Sequence, residues 1–224
     1  LGLALAAVLE RENPRDVFLG HEVKKFAELA TGAKLGTSSV RRAAQALRAR
    51  PDLKIVPLRG NVQTRLQKLG AGDADGMFLA RAGLARLEIL LPGAEELSPE
   101  NWLPALCQGA IGLEIRDDDE KSRALVAKID HRPSHLAIAA ERGFLARLDG
   151  SCRTPIAGLA SIQNGTLYFR GEVLSLDGQH AWSSTREFAL QNCADEETLQ
   201  SARALGTDAA QDVLSAAGVN LPKF

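Results

Sequence analysis

The sequence predicts an α/β protein followed by a small α+β module. Strand-like and helix-like segments alternate between residues 33 and 90, and the helices are about ten residues long, as in βαβ units that build a parallel sheet. After His131-Arg132-Pro133 the pattern changes to one amphipathic helix, three strand-like runs and a final helix. Two hairpin signals separate the three runs, which indicates an antiparallel sheet with helices on one face.

The first half of the chain supplies the α/β pattern. Residues 1–9 are apolar, so a buried strand is predicted over 1–10, and the breakers in ENPRDVF (12–18) predict a turn that includes Asp16. Further strands are predicted at 33–36, 54–58, 75–80 and 109–115, and helices at 21–30, 37–50, 60–69, 81–90 and 120–129. Hydroxyl groups at the start of the second helix are typical N-caps.

The second half supplies the α+β module. Ser134 opens a helix over 134–148, and a last helix is predicted at 196–217. The pairs Asn164-Gly165 and Asp177-Gly178 are strong turn signals. They divide the intervening region into predicted strands at 154–163, 166–175 and 179–190.

Composition excludes several classes of protein. The 224 residues carry 27 Lys and Arg against 28 Asp and Glu, and only 4% are aromatic, so nucleic acid is not an expected partner. No apolar run reaches the roughly 20 residues of a membrane helix. The three cysteines are far apart, which argues against a disulfide framework or a CxxC metal site. We therefore expect a cytoplasmic protein with no metal and no membrane contact.

The start of the sequence suggests a partial chain. Met77 is the only methionine, and Leu1 lies inside the first predicted strand. We expect that further residues precede Leu1 in the protein.

Positive charge is concentrated locally although it cancels overall. Nine lysines and arginines lie between Lys34 and Lys68, against the single acid Asp52. Hydroxyls and arginines occupy two successive strand-to-helix turns: Thr37, Ser38, Ser39, Arg41 and Arg42 at one, Arg59 and Arg65 at the next. Helix N-termini at the carboxyl edge of a parallel sheet bind anions, so the pattern predicts a polyanion site. Solvated helix faces with ordinary N-caps are the alternative.

Five segments then point to a family. They are GTSSVRR (36–42), LRGNVQTRLQKL (58–69), ARAGLARL (80–87), PALCQGAIGLE (104–114) and AAERGFLARLDGSCRTPI (139–156). In this order and spacing they closely resemble the porphobilinogen deaminase (hydroxymethylbilane synthase) family, over nearly the whole chain. The resemblance implies two doubly wound domains similar to periplasmic binding proteins and a small α+β third domain. Residues 1–14 and 104–131 would be a remnant of domain 1, 15–103 domain 2 and 132–224 domain 3.

The resemblance also implies a chemistry. Family members are monomeric transferases of tetrapyrrole and heme biosynthesis that join four porphobilinogen units head to tail, release ammonia and yield hydroxymethylbilane. Their primer is a dipyrromethane cofactor in thioether linkage to a loop cysteine, which by the motif is Cys152. Taken alone, a loop cysteine is more often inert; a soft sulfur nucleophile, however, suits capture of an electrophilic methylene, and a thioether resists hydrolysis.

The motifs also imply which residues bind the cofactor and the growing chain, a flexible polycarboxylate. These are Thr37, Ser38, Ser39, Arg41, Arg42, Arg59, Arg65, Arg86, Gln108 and Gly109. The family's catalytic aspartate belongs to a motif expected upstream of Leu1, so no catalytic residue is expected in this chain, and the fragment alone is expected to be inactive. Cys107 is expected to be a packing residue with its reactivity open. A non-catalytic, periplasmic-receptor-like module that binds polyanions is the alternative function.

Overall fold

The computed structural model describes residues 2–149, 154–190 and 196–218. These residues form a mixed α/β structure with three sheets, of two, five and three strands. The two-stranded and five-stranded sheets come from the first half of the chain, and the three-stranded antiparallel sheet comes from the second half, as the sequence predicts. Within the described residues, no helix is both long and apolar enough to cross a membrane.

The five-stranded sheet has mixed strand directions in the order β4-β3-β5-β2-β6. Its strands are β2 (Asp16–Gly20), β3 (Lys34–Gly36), β4 (Lys54–Val56), β5 (Gly76–Ala80) and β6 (Glu95–Glu96). Strands β3, β4 and β5 run parallel, as predicted, whereas β2 runs antiparallel to both β5 and β6. The helices α1 (Val40–Ala49), α2 (Val62–Gly70) and α3 (Arg81–Arg86) follow β3, β4 and β5 in turn.

Side chains of this sheet alternate between two apolar cores. Phe18 and Phe78 pack with Ala46 of α1 on one face. The residues on either side of them along β2 and β5 point the other way and pack with Leu69 of α2 and Leu84 of α3. Because α1, α2 and α3 each follow one of the three parallel strands, their N-termini all lie at the edge where those strands end.

Three local predictions are wrong. The turn predicted over 12–18 ends at residue 15, because Asp16 begins the buried strand β2. The helix predicted at 21–30 is only a 3-10 turn, Phe26–Glu28. The helix predicted at 81–90 ends at Arg86, because the backbone turns left-handed at Glu88 (φ 54°) and cannot continue the helix.

The two-stranded sheet joins distant parts of the chain. Strands β1 (Leu3–Val8) and β7 (Gly112–Arg116) pair antiparallel, with Leu3 opposite Arg116. Backbone hydrogen bonds continue this pairing along the outgoing and returning chain, from Leu9 N to Ile111 O and from Glu12 N to Gly109 O. The five-stranded sheet and its helices (residues 16–96, the five-stranded unit) are therefore inserted between β1 and β7. Helix α4 (Glu120–Val126) and a 3-10 turn at Ala127–Ile129 follow β7.

The C-terminal module packs two helices on an antiparallel sheet of order β10-β9-β8. Its elements are α5 (Arg132–Arg147), β8 (Ile156–Gln163), β9 (Thr166–Leu174), β10 (Ala181–Ala189) and α6 (Glu196–Ala217). The predicted hairpin at Asn164-Gly165 is confirmed as a two-residue turn with φ values of 50° and 74°. The second hairpin has a longer loop, 175–180, which contains Gly178.

A buried glutamate connects the C-terminal module to the rest of the chain. Glu141 of α5 is fully buried, and its carboxylate lies 2.5 Å from the guanidinium of Arg11. It also accepts backbone hydrogen bonds from Cys107 (2.5 Å) and from Ala160 of β8 (2.8 Å). These three partners satisfy a charge that would otherwise be costly to bury.

Helices α5 and α6 approach each other closely through two glycines. A Cβ atom on Gly206 would lie 1.8 Å from the carbonyl oxygen of Ala140, and one on Gly143 would lie 2.2 Å from that of Arg203. Both neighbours are backbone atoms of the facing helix, so a side chain at either position requires the helices to move apart. The glycines therefore set the distance between α5 and α6.

Gly206→Ala is expected to destabilise the protein by roughly 2 kcal/mol or more, because overpacking outweighs the higher helix propensity of alanine. Gly83→Ala is the matched control: Gly83 lies in α3 with open space around its Cβ position, and alanine there is expected to stabilise by up to about 1 kcal/mol. Urea denaturation followed by circular dichroism measures both. An equal effect of the two substitutions would contradict the close approach.

Candidate functional site

The candidate site is built around the buried carboxylate of Asp16. Because β2 is antiparallel to β5, its first residue lies opposite Ala80, where β5 ends and the helices begin. Asp16 is 1% exposed. Its two oxygens lie 2.9 Å from Arg41 Nη1 and 2.7 Å from Arg42 Nη2. The indole of Trp102 donates a further hydrogen bond at 2.9 Å.

The two arginines keep Asp16 ionised. Burial by itself raises the pKa of the Asp16 carboxyl, but the charges and hydrogen bonds of Arg41 and Arg42 outweigh burial and hold the pKa well below its usual range. Gln108 adds a donor from its side-chain amide, 3.0 Å from Asp16. A carboxylate held ionised in this way cannot serve as a general acid near neutral pH.

Positive charge remains in excess at this site. Arg65 of α2 is half-buried, and burial together with the nearby charge of Arg42 lowers the pKa of its guanidinium. Two guanidiniums thus share the Asp16 carboxylate, and the guanidinium of Arg65 lies near that of Arg42. In addition, the Nε atoms of Arg41 and Arg42 are buried with no hydrogen-bond partner among the described residues. Buried donors without acceptors cost free energy, so the arrangement favours an added anion.

A cleft of about 550 Å³ opens beside these charges. Its polar wall comprises Ser38, Ser39 and Arg41 at the start of α1, Arg65 of α2, and Thr154 before β8. Ser39 caps α1, because its Oγ accepts a hydrogen bond from Arg42 N. The positive end of the α1 dipole therefore faces the same region.

The remaining lining of the cleft is apolar. It consists of side chains from α1, the 104–107 segment, α5 and β8: Val40, Ala105, Leu106, Leu145 and Ile156. The cleft therefore lies between the five-stranded unit and the C-terminal module. A ligand that carries both acidic groups and apolar surface matches such a lining.

The structure brings only part of the predicted set to the cleft. Ser38, Ser39, Arg41 and Arg65 line it, and Arg42 and Gln108 reach Asp16 behind it. Thr37 is buried before α1, where its Oγ1 accepts a hydrogen bond from Ser39 N. Arg86 donates to the carbonyl of Gly109 at 3.1 Å. Arg59 is exposed and is not among the residues that line the cleft. Cys152 lies outside the described residues.

Sequence reasoning missed the residue at the centre of the site. Asp16 was assigned to a turn because Pro14 precedes it closely, although the apolar run directly after it is itself a strand signal. Trp102 and Thr154 also carried no local pattern that would reveal their role. Among the described residues, no group of three or more His, Cys, Asp or Glu side chains is placed to hold a metal ion.

Cys107 has a left-handed backbone and a thiol whose pKa is raised. Its φ of 62° lies in the left-handed region, and its N–H donates to Glu141. Burial, with the negative charge of Glu141, raises the pKa of its thiol to about 12. A raised pKa keeps the thiol protonated near neutral pH, so we expect Cys107 to act as a packing group.

Comparison with known proteins decides the family. Residues 1–124 match the profile described as "Porphobilinogen deaminase, dipyromethane cofactor binding domain", and residues 135–215 match "Porphobilinogen deaminase, C-terminal domain". The chain belongs to the porphobilinogen deaminase family. The first profile alone covers more than half of the 224 residues.

Individual relatives agree with the family assignment. A porphobilinogen deaminase of Paracoccus denitrificans is 46% identical over 212 residues, which are 95% of this chain and 65% of the relative. One of Nitrobacter hamburgensis is 44% identical over 96% of this chain, and one of Syntrophomonas wolfei is 44% identical over 91%. The chain spans 65% of the length of each of these relatives.

A solved structure shows a much weaker similarity. A periplasmic binding protein of Salmonella typhimurium with high arginine specificity is 16% identical, with a TM-score of 0.35 over 55% of this chain and 56% of its own. No conclusion about fold or ligand follows from a likeness of this size.

Asp16→Asn is expected to lower the free energy of unfolding at pH 7 by about 3–5 kcal/mol, because two buried guanidiniums lose their counter-ion. Since the folded-state pKa of Asp16 is depressed, its contribution is present above the usual Asp pKa and lost as pH falls through the acid range. Lowering the pH below about 4 should therefore reduce the free energy of unfolding less in the variant than in the parent protein. Urea unfolding at several pH values measures both effects.

Asp52→Asn is the control for that experiment. Asp52 also pairs with an arginine, Arg50, at 2.7 Å, but the pair lies at the surface, where solvent screens it. Its removal should cost far less at pH 7. Equal losses from the two substitutions would show that Asp16 is not the central counter-ion.

Cys107 is expected to resist alkylation. With a thiol pKa of about 12, fewer than roughly one molecule in a thousand carries the thiolate at pH 8, so iodoacetamide should react slowly. Peptide mapping by mass spectrometry gives the rate. Glu141→Gln removes the nearby negative charge and should raise that rate at pH 9–10 in the folded protein. Labelling of Cys107 in the parent protein as fast as a free cysteine would contradict the assignment.

Proposed function

We propose that the protein containing this chain is a hydroxymethylbilane synthase, a transferase of tetrapyrrole biosynthesis. It joins four porphobilinogen units head to tail and releases one ammonia at each step. The observation that carries the proposal is the cleft beside Asp16, where guanidinium groups exceed carboxylates in a chain of the porphobilinogen deaminase family. The cytoplasmic, monomeric state expected from the sequence is part of the same proposal.

The residues present fit a dipyrromethane cofactor. Each pyrrole of such a group carries an acetate and a propionate, so the cofactor and the growing chain are polycarboxylates. The cleft offers the matching chemistry, because arginines and serines line it together with aliphatic side chains. When bound, the dipyrromethane supplies the terminal pyrrole carbon to which the first substrate unit is joined.

Each cleft residue has a proposed task in binding. Arg65 and Arg41 bind carboxylates by charge-assisted hydrogen bonds, which arginine forms in a bidentate geometry. Ser38 and the first N–H groups of α1 donate to a second carboxylate oxygen. We extend the assignment to the rest of the family motif: Thr37, Ser39, Arg42, Arg59, Arg86, Gln108 and Gly109.

Cys152 is the proposed attachment point of the cofactor. The proposal is supported by sequence distance, because Cys152 precedes Thr154 by two residues and Thr154 lines the cleft. In the proposed attachment the sulfur forms a C–S bond to the methylene carbon of a pyrrole, the amino group leaves as ammonia, and the thiol proton is released with it. Sulfur is suited to this role as a soft nucleophile.

The domain organisation belongs to the same proposal. Segments 1–14 and 104–131 form part of one domain, which is supported by the pairing of β1 with β7. Residues 15–103 form a second domain and 132–224 a third, with the first two similar to periplasmic binding proteins. We assign no catalytic acid to this chain, because its one buried aspartate in the site is held ionised by two arginines.

The test is the intact mass of the protein that contains residues 1–224, purified after expression in cells that make porphobilinogen. The expected result is an added mass of two pyrrole units on the peptide that contains Cys152. Cys152→Ser should abolish both the added mass and the formation of hydroxymethylbilane. Cys107→Ser is the matched control and should retain both, since its thiol is not nucleophilic.

Two outcomes would overturn the proposal. An unmodified Cys152 in active protein would remove the thioether assignment. Absence of any added mass, together with reversible binding of polycarboxylates, would support the alternative, a receptor-like module that binds polyanions without chemistry.

A further inference from the structure

A second carboxylate approaches α1 from the side of the C-terminal module. Glu172 of β9 is 7% exposed, and it accepts hydrogen bonds from Gln45 Nε2 at 3.1 Å and from Arg48 Nη1 at 2.8 Å. Both partners lie on α1, one and two turns after Arg41. Glu172 thus contacts the helix whose first turn lines the cleft, although it does not line the cleft itself.

Gln45 transmits this contact to the cleft. Its side chain is 1% exposed, and its amide nitrogen donates to the Leu103 carbonyl at 3.0 Å as well as to Glu172. With both amide hydrogens directed to these acceptors, the amide oxygen faces the opposite way and accepts a hydrogen bond from Arg41 Nη1 at 2.8 Å. Glu172 and Leu103 therefore determine the orientation of the Gln45 amide.

The same nitrogen of Arg41 has two other acceptors. Nη1 lies 3.0 Å from the Leu103 carbonyl and 2.9 Å from Asp16, so three groups fix its direction. Burial lowers the pKa of the Arg41 guanidinium, and the negative charges of Asp16 and Glu172 oppose that effect. Glu172 thus influences Arg41 by its charge as well as through the amide.

We propose that Glu172 is a positioning residue for the candidate site: through Gln45 it holds the Arg41 guanidinium in the orientation that binds carboxylate. The inference rests on the proposed function, in which Arg41 is a ligand of the polycarboxylate. It adds that Arg41, on the five-stranded unit, is oriented by Glu172 of the C-terminal module, which also carries Cys152.

A second contact keeps Glu172 in register with α1. The 175–180 loop packs directly on the helix at Gly178, where a Cβ atom would lie 2.3 Å from the Ala44 carbonyl oxygen. A side chain at position 178 would clash with the backbone of α1, so the loop that follows β9 packs closely on the helix near Gln45. A carboxylate on β9 can therefore act on Gln45 without an intervening flexible segment.

The first test is the binding of 1,2,3,4-butanetetracarboxylate, an open-chain tetracarboxylate, measured by calorimetry. Glu172→Ala is expected to weaken binding about tenfold, the size of one charge-assisted hydrogen bond. Glu172→Gln, which keeps an acceptor for Gln45, should recover most of the affinity. Arg48→Met removes the ion pair to Glu172 but leaves the bond to Gln45, so binding should stay within about twofold of the parent protein.

A merely structural role for Glu172 predicts a different pattern. In that case Arg48→Met and Glu172→Ala would lower the melting temperature similarly and change tetracarboxylate binding by the same factor. Either that result or unchanged binding in Glu172→Ala would overturn the proposal.

The second test needs no ligand. The guanidinium ¹⁵N signals of Arg41, assigned by their loss in Arg41→Lys, report its hydrogen bonding in the folded protein. They should change in Glu172→Ala and remain as in the parent protein in Arg48→Met; unchanged signals in Glu172→Ala would overturn the proposal. Changed signals with no tetracarboxylate binding in any variant, the parent included, would uphold the positioning contact and count against the proposed carboxylate site.

Discussion

The pairing of one buried carboxylate with two buried arginines determines the geometry of the candidate site. Asp16 could not remain ionised in the protein interior without Arg41 and Arg42, and neither guanidinium could be buried there without Asp16. Trp102 completes the set of donors. The three elements that meet at this carboxylate are β2, α1 and the chain returning towards β7, so their relative placement follows from electrostatics as much as from apolar packing.

The positive charge of the arginines at this site is only partly neutralised. One carboxylate serves two arginines, a third lies close by, and two Nε atoms have no acceptor among the described residues. Further carboxylates could neutralise the arginines completely and stabilise the N-terminus of α1. The site would then no longer attract an anion. The surplus charge is compatible with folding because a cleft admits solvent next to it.

Local sequence patterns predicted much of the fold and one wall of the cleft. The βα turns with their serines and arginines, and the hairpin at Asn164-Gly165, follow from residue types at short spacing, and the structure contains them. Strand β2 was not predicted, because Pro14 and Asp16 are both turn formers. Asp16 can be buried at the start of this strand only because Arg41 and Arg42 pair with its carboxylate. The apolar wall was not predicted either, since Leu145 reaches the cleft only through packing of distant segments. The role of Cys152 remains a prediction.

The insertion of the five-stranded unit between β1 and β7 has a consequence for folding order. Pairing Leu3 with Arg116 in an unfolded chain requires closing a loop of more than roughly 100 residues, at an entropic cost that precedes any contact. Once the inserted unit has folded, its first and last strands, β2 and β6, lie side by side and bring the two connections together. We therefore expect the β1–β7 ladder to form after the inserted unit has folded, and we expect its amide protons to exchange with solvent when that unit opens.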